Sequence, residues 1–195
     1  MAELHSSTDQ KYEIKKSSAM GYRIRFGEEY SLPKDTATHF SSDEIKRLAR
    51  RFKKIDLDNS GTLSIEEILR LPELQQNPLV NRALEIFDTD GNKELDFKEF
   101  IEGVSLFSKR GVREDKLKFV FKIYDVNQDG FISNGELFTV LKMMVGDNLQ
   151  EIQLQQIVDK TMVRYDEDGD GKLSYDEFIK VAGAMKFDRK MVVGV

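Results

Sequence analysis

From Phe40 onward, apolar residues recur at helical spacing. Ile45, Leu48, Ala49, Phe52 and Ile55 mark one face of an amphipathic helix. Ser41 precedes it with Glu44 three residues on, the signature of a capping box. This helix runs straight into an acid-rich loop at Asp56, and a further amphipathic segment follows. The helix–acidic loop–helix scheme recurs, with loops starting at Asp56, Asp88, Asp125 and Asp166. Such spacing is the mark of a repeat array and predicts an all-α chain. Leu71-Pro72 is expected to stop the second helix. Asn77-Pro78 is expected to cap the third, with Pro in the first turn, where a missing N–H costs nothing. Residues 108–113 read as a polar joint between two halves.

The predicted organisation is therefore an N-terminal extension over 1–39, one repeat pair over 40–108, a second over 109–187 and a tail over 188–195. In the extension basic and acidic residues cancel and apolar residues are scattered, which reads as flexible. Within it, Ile24 and Phe26 alternate with Arg23 and Arg25, the period of a short strand.

Charge and composition narrow the function classes. Formal net charge is −5, which does not suit a nucleic-acid partner. The acids bunch in the Asp/Asn/Gly-rich stretches, as cation binding requires. The absence of cysteine excludes disulfides, thiolate metal sites and a Cys nucleophile. No apolar run approaches the ~18 residues of a membrane span. Membrane contact is not expected, and a cytoplasmic location is. His5 and His39 stand apart from the acid clusters and read as solvated. No phosphate-binding Gly loop and no nucleophile–base constellation is present, so an enzyme is not expected.

Each loop fits the oxygen geometry that a calcium ion demands. Calcium takes six to eight oxygens, and a twelve-residue loop supplies them from positions 1, 3, 5, 7, 9 and 12. Position 7 contributes its backbone carbonyl, and position 12 a bidentate Glu. The first loop, DLDNSGTLSIEE, offers Asp56, Asp58, Ser60, the Thr62 carbonyl and Glu67. The second, DTDGNKELDFKE, offers Asp88, Asp90, Asn92, the Glu94 carbonyl and Glu99, with Asp96 as an added acid at position 9. The third, DVNQDGFISNGE, offers Asp125, Asn127, Asp129, the Phe131 carbonyl and Glu136. The fourth, DEDGDGKLSYDE, offers Asp166, Asp168, Asp170, the Lys172 carbonyl and Glu177. The expected cofactor is calcium, up to four ions, in EF-hands.

Position 6 calls for φ above zero and is Gly in the first, third and fourth loops. In the second it is Lys93. The strain of a side chain there predicts that the second site is the weakest. Position 8 is branched and apolar throughout: Leu63, Leu95, Ile132 and Leu173. These residues predict short two-stranded ribbons that pair the first loop with the second and the third with the fourth. Met143, Met144, Met162 and Met185 read either as core or as lining of a target groove. The apolar excess around Phe138, Leu141, Met144, Val145 and Leu149 favours a groove for an amphipathic helix.

Beyond the loops, the chain resembles the calcineurin B family, the regulatory subunits of the calcium- and calmodulin-dependent protein phosphatase. The resemblance runs from Phe40 to Val195. It is carried by DEIKRL at 43–48, DLDNSG at 56–61, LPELQQNPLV at 71–80, DFKEFIEGVS at 96–105, SNGELF at 133–138, VLKMMVG at 140–146, LQQIVDKT at 154–161 and the final MVVGV. It implies two lobes clasping a long amphipathic helix of the catalytic subunit. It further implies that Leu141, Met144, Val145, Asn148 and Leu149 share a docking groove with that subunit. In the family this groove takes Leu-x-Val-Pro substrate motifs and immunophilin–drug complexes. Two departures stand out. The chain begins Met-Ala where the family commonly begins Met-Gly and is myristoylated; Met20-Gly21 offers an alternative start, but Arg25 stands where Ser or Thr is wanted, so myristoylation is not expected. The other departure is Lys93. A calcineurin-B-like regulator of a transporter and a simple calcium buffer remain as alternative functions.

Overall fold

The computed structural model describes residues 40–107 and 112–184, with the backbone of three strands before them. Helix α1 (Ser42–Ile55) starts on the expected capping box. Ser41 Oγ accepts from the Glu44 N–H, and Glu44 Oε2 accepts from the Ser41 N–H at 2.6 Å. Its apolar stripe of Ile45, Leu48, Ala49 and Phe52 is buried as the periodicity requires. The first loop leads into α2 (Ile65–Leu69), followed by the single turn α3 (Pro72–Gln75). Helix α4 (Val80–Phe87) enters the second loop and α5 (Phe97–Phe107) leaves it. Helices α6 (Arg113–Tyr124) and α7 (Asn134–Val145) flank the third loop. A 3-10 turn over Gly146–Asn148 then leads to α8 (Glu151–Tyr165), the fourth loop and α9 (Tyr175–Ala184).

Of Pro72 and Pro78, the first does what was expected and more: α2 ends at Leu69, just ahead of it. Pro72 does not merely stop a helix. It sits in the first turn of α3, with Leu71 as the extended residue before it. Pro78 lies in a turn ahead of α4 rather than in the helix. Asn77 Oδ1 accepts from the Leu79 N–H at 3.0 Å, and the helix begins only at Val80. The Asn side chain closes a local turn and so delays the helix by two residues.

The ribbons form in the expected register. Strand β4 (Leu63–Ser64) pairs antiparallel with β5 (Glu94–Leu95), setting Leu63 opposite Leu95. Strand β6 (Ile132–Ser133) pairs with β7 (Lys172–Leu173), setting Ile132 opposite Leu173. All of these position-8 residues are buried. Each ribbon thus anchors two loops into one core, which a two-residue pairing could not do unaided.

Two cores result. The first gathers Phe52, Phe97, Ile101 and the Leu63–Leu95 pair, with Phe52 and Phe97 edge to face at 5.2 Å. The second gathers Phe121, Ile132, Val158 and Phe178. The halves are not independent beads. Leu79, Ala83, Ile86 and Phe87 of the first pair pack against the second core. Met162 is core, while Met143 and Met144 are exposed; Met185 lies outside the described residues.

The N-terminal extension adds a feature to the helical plan. Strands β1 (Glu13–Ser17), β2 (Gly21–Phe26) and β3 (Glu28–Leu32) form an antiparallel meander, and β3 runs close to α5. The alternation at Ile24 and Phe26 lies in the middle strand. Register sets Ile14, Ile24 and Tyr30 in one row and Lys15, Arg23 and Ser31 in the next. The period-two pattern therefore spans three strands, each too short to stand out in the sequence. The rest of residues 1–39, most of the 108–113 joint and the 188–195 tail lie outside the described residues.

Candidate calcium sites

The four loops share one hydrogen-bond plan. The Asp at position 1 turns back over its loop. Asp56 accepts from the Ser60 and Gly61 N–H groups at 3.0 and 3.1 Å, and Asp88 from Asn92 and Lys93 at 3.1 and 2.8 Å. Asp125 accepts from Asp129 and Gly130 at 3.1 and 3.0 Å, and Asp166 from Gly169 and Gly171 at 2.7 and 2.9 Å. Position 3 accepts from the N–H of position 5 in every loop: Asp58, Asp90, Asn127 and Asp168. Position 5 accepts from position 7 in the same way, through Ser60, Asn92, Asp129 and Asp170. Backbone N–H groups thus point the side-chain oxygens of positions 1, 3 and 5 toward the middle of the loop.

The Glu at position 12 closes the loop from the other side. One oxygen accepts from the N–H of position 2: Leu57 to Glu67 at 2.7 Å, Thr89 to Glu99 at 2.8 Å, Val126 to Glu136 at 3.0 Å and Glu167 to Glu177 at 2.7 Å. The other oxygen takes part in the cap of the exiting helix. Ser64, Ser133 and Ser174 each donate N–H and hydroxyl to it; in the second loop the Asp96 N–H donates. Helix start and metal loop therefore share one carboxylate, and the capping-box signal and the ligand signal in the sequence are the same residue.

Burial singles out the same positions. The buried charged residues among those described are Asp56, Glu67, Glu99, Asp125 and Glu177, and every one is at position 1 or 12. Buried carboxylates call for a counter-charge. Their proton affinities respond accordingly. Burial pushes the Asp56 carboxyl up. Burial also acts on Glu67 and Glu136, but hydrogen bonds from Ser64 and Leu57, and from Ser133, Asn127 and Val126, outweigh it and hold both below the usual range. The Ser174 hydroxyl and backbone, with the Glu167 N–H, lower Glu177 from 4.5 to about 2.

Acids converge where the loops are richest in them. Asp56, Asp58 and Glu67 each bring an oxygen within 4.8 Å of the others, as do Asp88, Asp90 and Glu99, and Asp166, Asp168 and Glu177. Hard carboxylate oxygens at this spacing fit calcium. Among the described residues the third loop forms no such triad of acids. Asn127 holds its position 3, and Lys172 Nζ from the fourth loop pairs with Asp129 Oδ2 at 2.9 Å. That ammonium holds Asp129 below the usual carboxylate range. The first pair has a neutral counterpart, where Thr62 Oγ1 donates to Glu94 Oε2 across the ribbon.

Backbone conformation confirms one expectation and widens it. Lys93 has φ of 67°, beside Gly61 at 89°, Gly130 at 86° and Gly171 at 84°. Position 4 also lies in the left-handed region, at Asn59 (58°), Gly91 (76°), Gln128 (60°) and Gly169 (74°). The first three loops thus each place one non-Gly residue there, and the fourth none. Lys93 is not singular, and only Asn59 is of a type that tolerates the region well. Lys93→Gly is expected to tighten the second site roughly fivefold, the low end of a ~1–2 kcal/mol strain. Because Gln128 bears a like cost, Gln128→Gly should tighten the third site similarly. Calcium titrations of both variants, read loop by loop, check this.

The residues expected to line a groove lie together at the end of α7 and the turn after it. Leu141 packs partly against the second core, and Val145 and Leu149 are half-buried. Met144 is exposed, its sulfur accepting from the Tyr124 hydroxyl at 3.6 Å. Asn148 Nδ2 donates to the Val145 carbonyl at 2.9 Å. Met143, Ile152 and Ile157 are exposed as well. Among the described residues no helix is long and apolar enough to cross a membrane.

Comparison with known proteins agrees with this architecture. The family described as an EF-hand domain pair matches residues 45–105 and 114–183. The type 2 calcineurin B protein of Rattus norvegicus is 60% identical over 169 residues, covering 87% of this chain and 96% of that protein. Its counterpart in Homo sapiens is 59% identical over 167 residues, covering 86% and 98%. The calcineurin B protein of Naegleria gruberi is 54% identical over 156 residues, covering 80% and 88%. Paired calcium loops, ribbon register and identity over nearly the whole of these relatives agree: the chain belongs to the calcineurin B family of EF-hand proteins.

Proposed function

We propose that this protein is the calcium-binding regulatory subunit of a calcineurin-type serine/threonine phosphatase, itself without catalytic activity and working in the cytoplasm. The observation that carries the reading is the placement of buried carboxylates. They fall at the two ends of the calcium loops, in a chain 60% identical to a calcineurin B protein. In this reading the first ion is held by Asp56, Asp58, Ser60, the Thr62 carbonyl and Glu67. The second is held by Asp88, Asp90, Asn92, the Glu94 carbonyl and Glu99. The third takes Asp125, Asn127, Asp129, the Phe131 carbonyl and Glu136, once Asp129 exchanges Lys172 for calcium. The fourth takes Asp166, Asp168, Asp170, the Lys172 carbonyl and Glu177.

The partner is an amphipathic helix of the catalytic subunit, held by both pairs. Leu141, Met144, Val145, Asn148 and Leu149 contribute a shared groove, which also receives Leu-x-Val-Pro substrate segments and immunophilin–drug complexes. Exposed Met143, Met144, Ile152 and Ile157 favour a sensor with a target over a buffer, which needs no apolar surface of this kind. An affinity pull-down from the source cell, with and without chelator, tests the partner. A phosphatase catalytic subunit is the expected capture, and a transporter would overturn the assignment. Leu141→Glu combined with Met144→Glu is expected to weaken a Leu-x-Val-Pro peptide at least tenfold while leaving calcium binding by the first two loops unchanged. Fluorescence anisotropy with that peptide, beside a calcium titration, reads both.

A further inference from the structure

Arg82 projects from α4 in the first pair and ends on the second. Its side chain is only 13% exposed. Nη2 donates to the carbonyls of Lys122 at 3.0 Å, Asp125 at 2.7 Å and Val126 at 3.4 Å. Nε donates to that of Ile123 at 3.5 Å, and Nη1 to Glu85 Oε2 at 3.0 Å. The acceptors are the last carbonyls of α6 and the first two of the third loop. A helix leaves such carbonyls unpaired, at the negative end of its dipole. A guanidinium answers several at once, because its donors form a rigid planar fork.

A second contact ties the same two helices. Phe87, the last residue of α4, stacks on Phe119 of α6 with centroids 4.9 Å apart and planes 6° from parallel. Phe107 meets Phe119 edge-on at 5.3 Å. Gly103 of α5 makes room for the Phe87 ring, since a Cβ there would sit 3.2 Å from three of its carbons. Helix α4 ends on Asp88, the opening residue of the second loop, and α6 ends on Asp125, the opening residue of the third. These loops belong to different ribbons, so no strand pairing joins them.

We propose that Arg82 is a positioning residue that couples the second calcium loop to the third across the two EF-hand pairs. Filling the second loop changes the angle of α4 against α5, as ion binding does in a responsive EF-hand. Helix α4 carries the guanidinium, and the guanidinium carries the Asp125 carbonyl. The second site thereby sets the placement of the first ligand of the third. By linkage the coupling is reciprocal: filling the third loop favours the second by the same factor.

The inference rests on the ligand assignment above, and a double-mutant cycle in the full chain separates the two. Glu99→Gln disables the second loop, and Arg82→Met keeps the apolar stem but removes every donor. Calcium titrations followed at the Gly91 and Gly130 amide resonances read the second and third loops individually. With Arg82 present, Glu99→Gln is expected to weaken the third site roughly fivefold, the lower end of ordinary allosteric coupling. With Met at 82, the third site should have the same affinity whether residue 99 is Glu or Gln. A merely structural role would shift both titrations alike and leave their ratio unchanged. Arg82→Gln provides the same comparison should the Met variant not fold. If Glu99→Gln leaves the third site unmoved with Arg82 present, or if the fivefold ratio persists without Arg82, the coupling is wrong. If Glu99→Gln fails to impair the second site itself, the ligand assignment is wrong instead.

Discussion

Adding a chelator is expected to lower the thermal stability of this protein by several kcal/mol, with the unfolding midpoint falling as free calcium falls. Every loop has a buried carboxylate at position 1 or position 12, and in the first loop both are buried, Asp56 with Glu67. Without an ion, their mutual repulsion and desolvation oppose the fold. A ligand that binds only the native state stabilises it by RT ln(1 + [L]/Kd), about 2.7 kcal/mol for one site at a hundredfold excess over Kd. With several sites the sum exceeds what most single substitutions achieve. Calorimetric melts across a calcium series measure it directly. A midpoint independent of calcium would mean that these carboxylates hold no ion.

Glu177→Gln is the single substitution expected to do most damage to the second pair. Both Glu177 oxygens are engaged, by the Glu167 N–H at 2.7 Å, the Ser174 N–H at 2.8 Å and the Ser174 hydroxyl at 2.7 Å. An amide keeps one acceptor and points an NH2 group at donors. Losing one charge-assisted bond costs about 2–3 kcal/mol in the calcium-free form. In the calcium-bound form the bidentate contact is lost as well, so the fourth site should weaken on the order of a hundredfold. The pH dependence has a definite sign. Glu177 is lowered from 4.5 to about 2, so its stabilising contribution is complete above pH 4.5 and is lost as pH falls toward 2. The stability gap between wild type and variant, measured in chelator by urea titration, should be full at pH 7 and narrow steadily below 4.5. A gap that widened with acid would contradict the assigned hydrogen bonds.

Much of this was legible in the chain because EF-hand chemistry is local. Twelve consecutive residues carry the proposed ligands, and the same Glu that closes the loop opens the next helix. Position 8 revealed the pairing of loops because an apolar residue inside an acidic turn has no other place to go. What escaped was of two kinds. The left-handed backbone at position 4 was hidden by residue type: Gly91 and Gly169 signalled it, but Asn59 and Gln128 in the other loops did not. The contacts between halves were hidden by distance along the chain. Arg82 meets carbonyls some forty residues away, and nothing in the local pattern of α4 separates it from an ordinary exposed arginine. Lys172 is a similar case, since its role at Asp129 exists only once the ribbon has set Leu173 opposite Ile132. Of the N-terminal sheet only the middle strand was legible, at Ile24 and Phe26, because the strands are brief and the apolar row assembles from all of them.

In the proposed function, the calcium state of these loops is transmitted to the activity of a bound phosphatase. The most direct test is reconstitution with a calcineurin catalytic subunit, co-expressed and purified with this chain. The account predicts a one-to-one complex whose phosphatase activity, with calmodulin held constant, falls when the position-12 glutamates Glu67, Glu99, Glu136 and Glu177 are replaced by Gln. No complex at any calcium concentration, or full activity with all of these residues replaced, would contradict it.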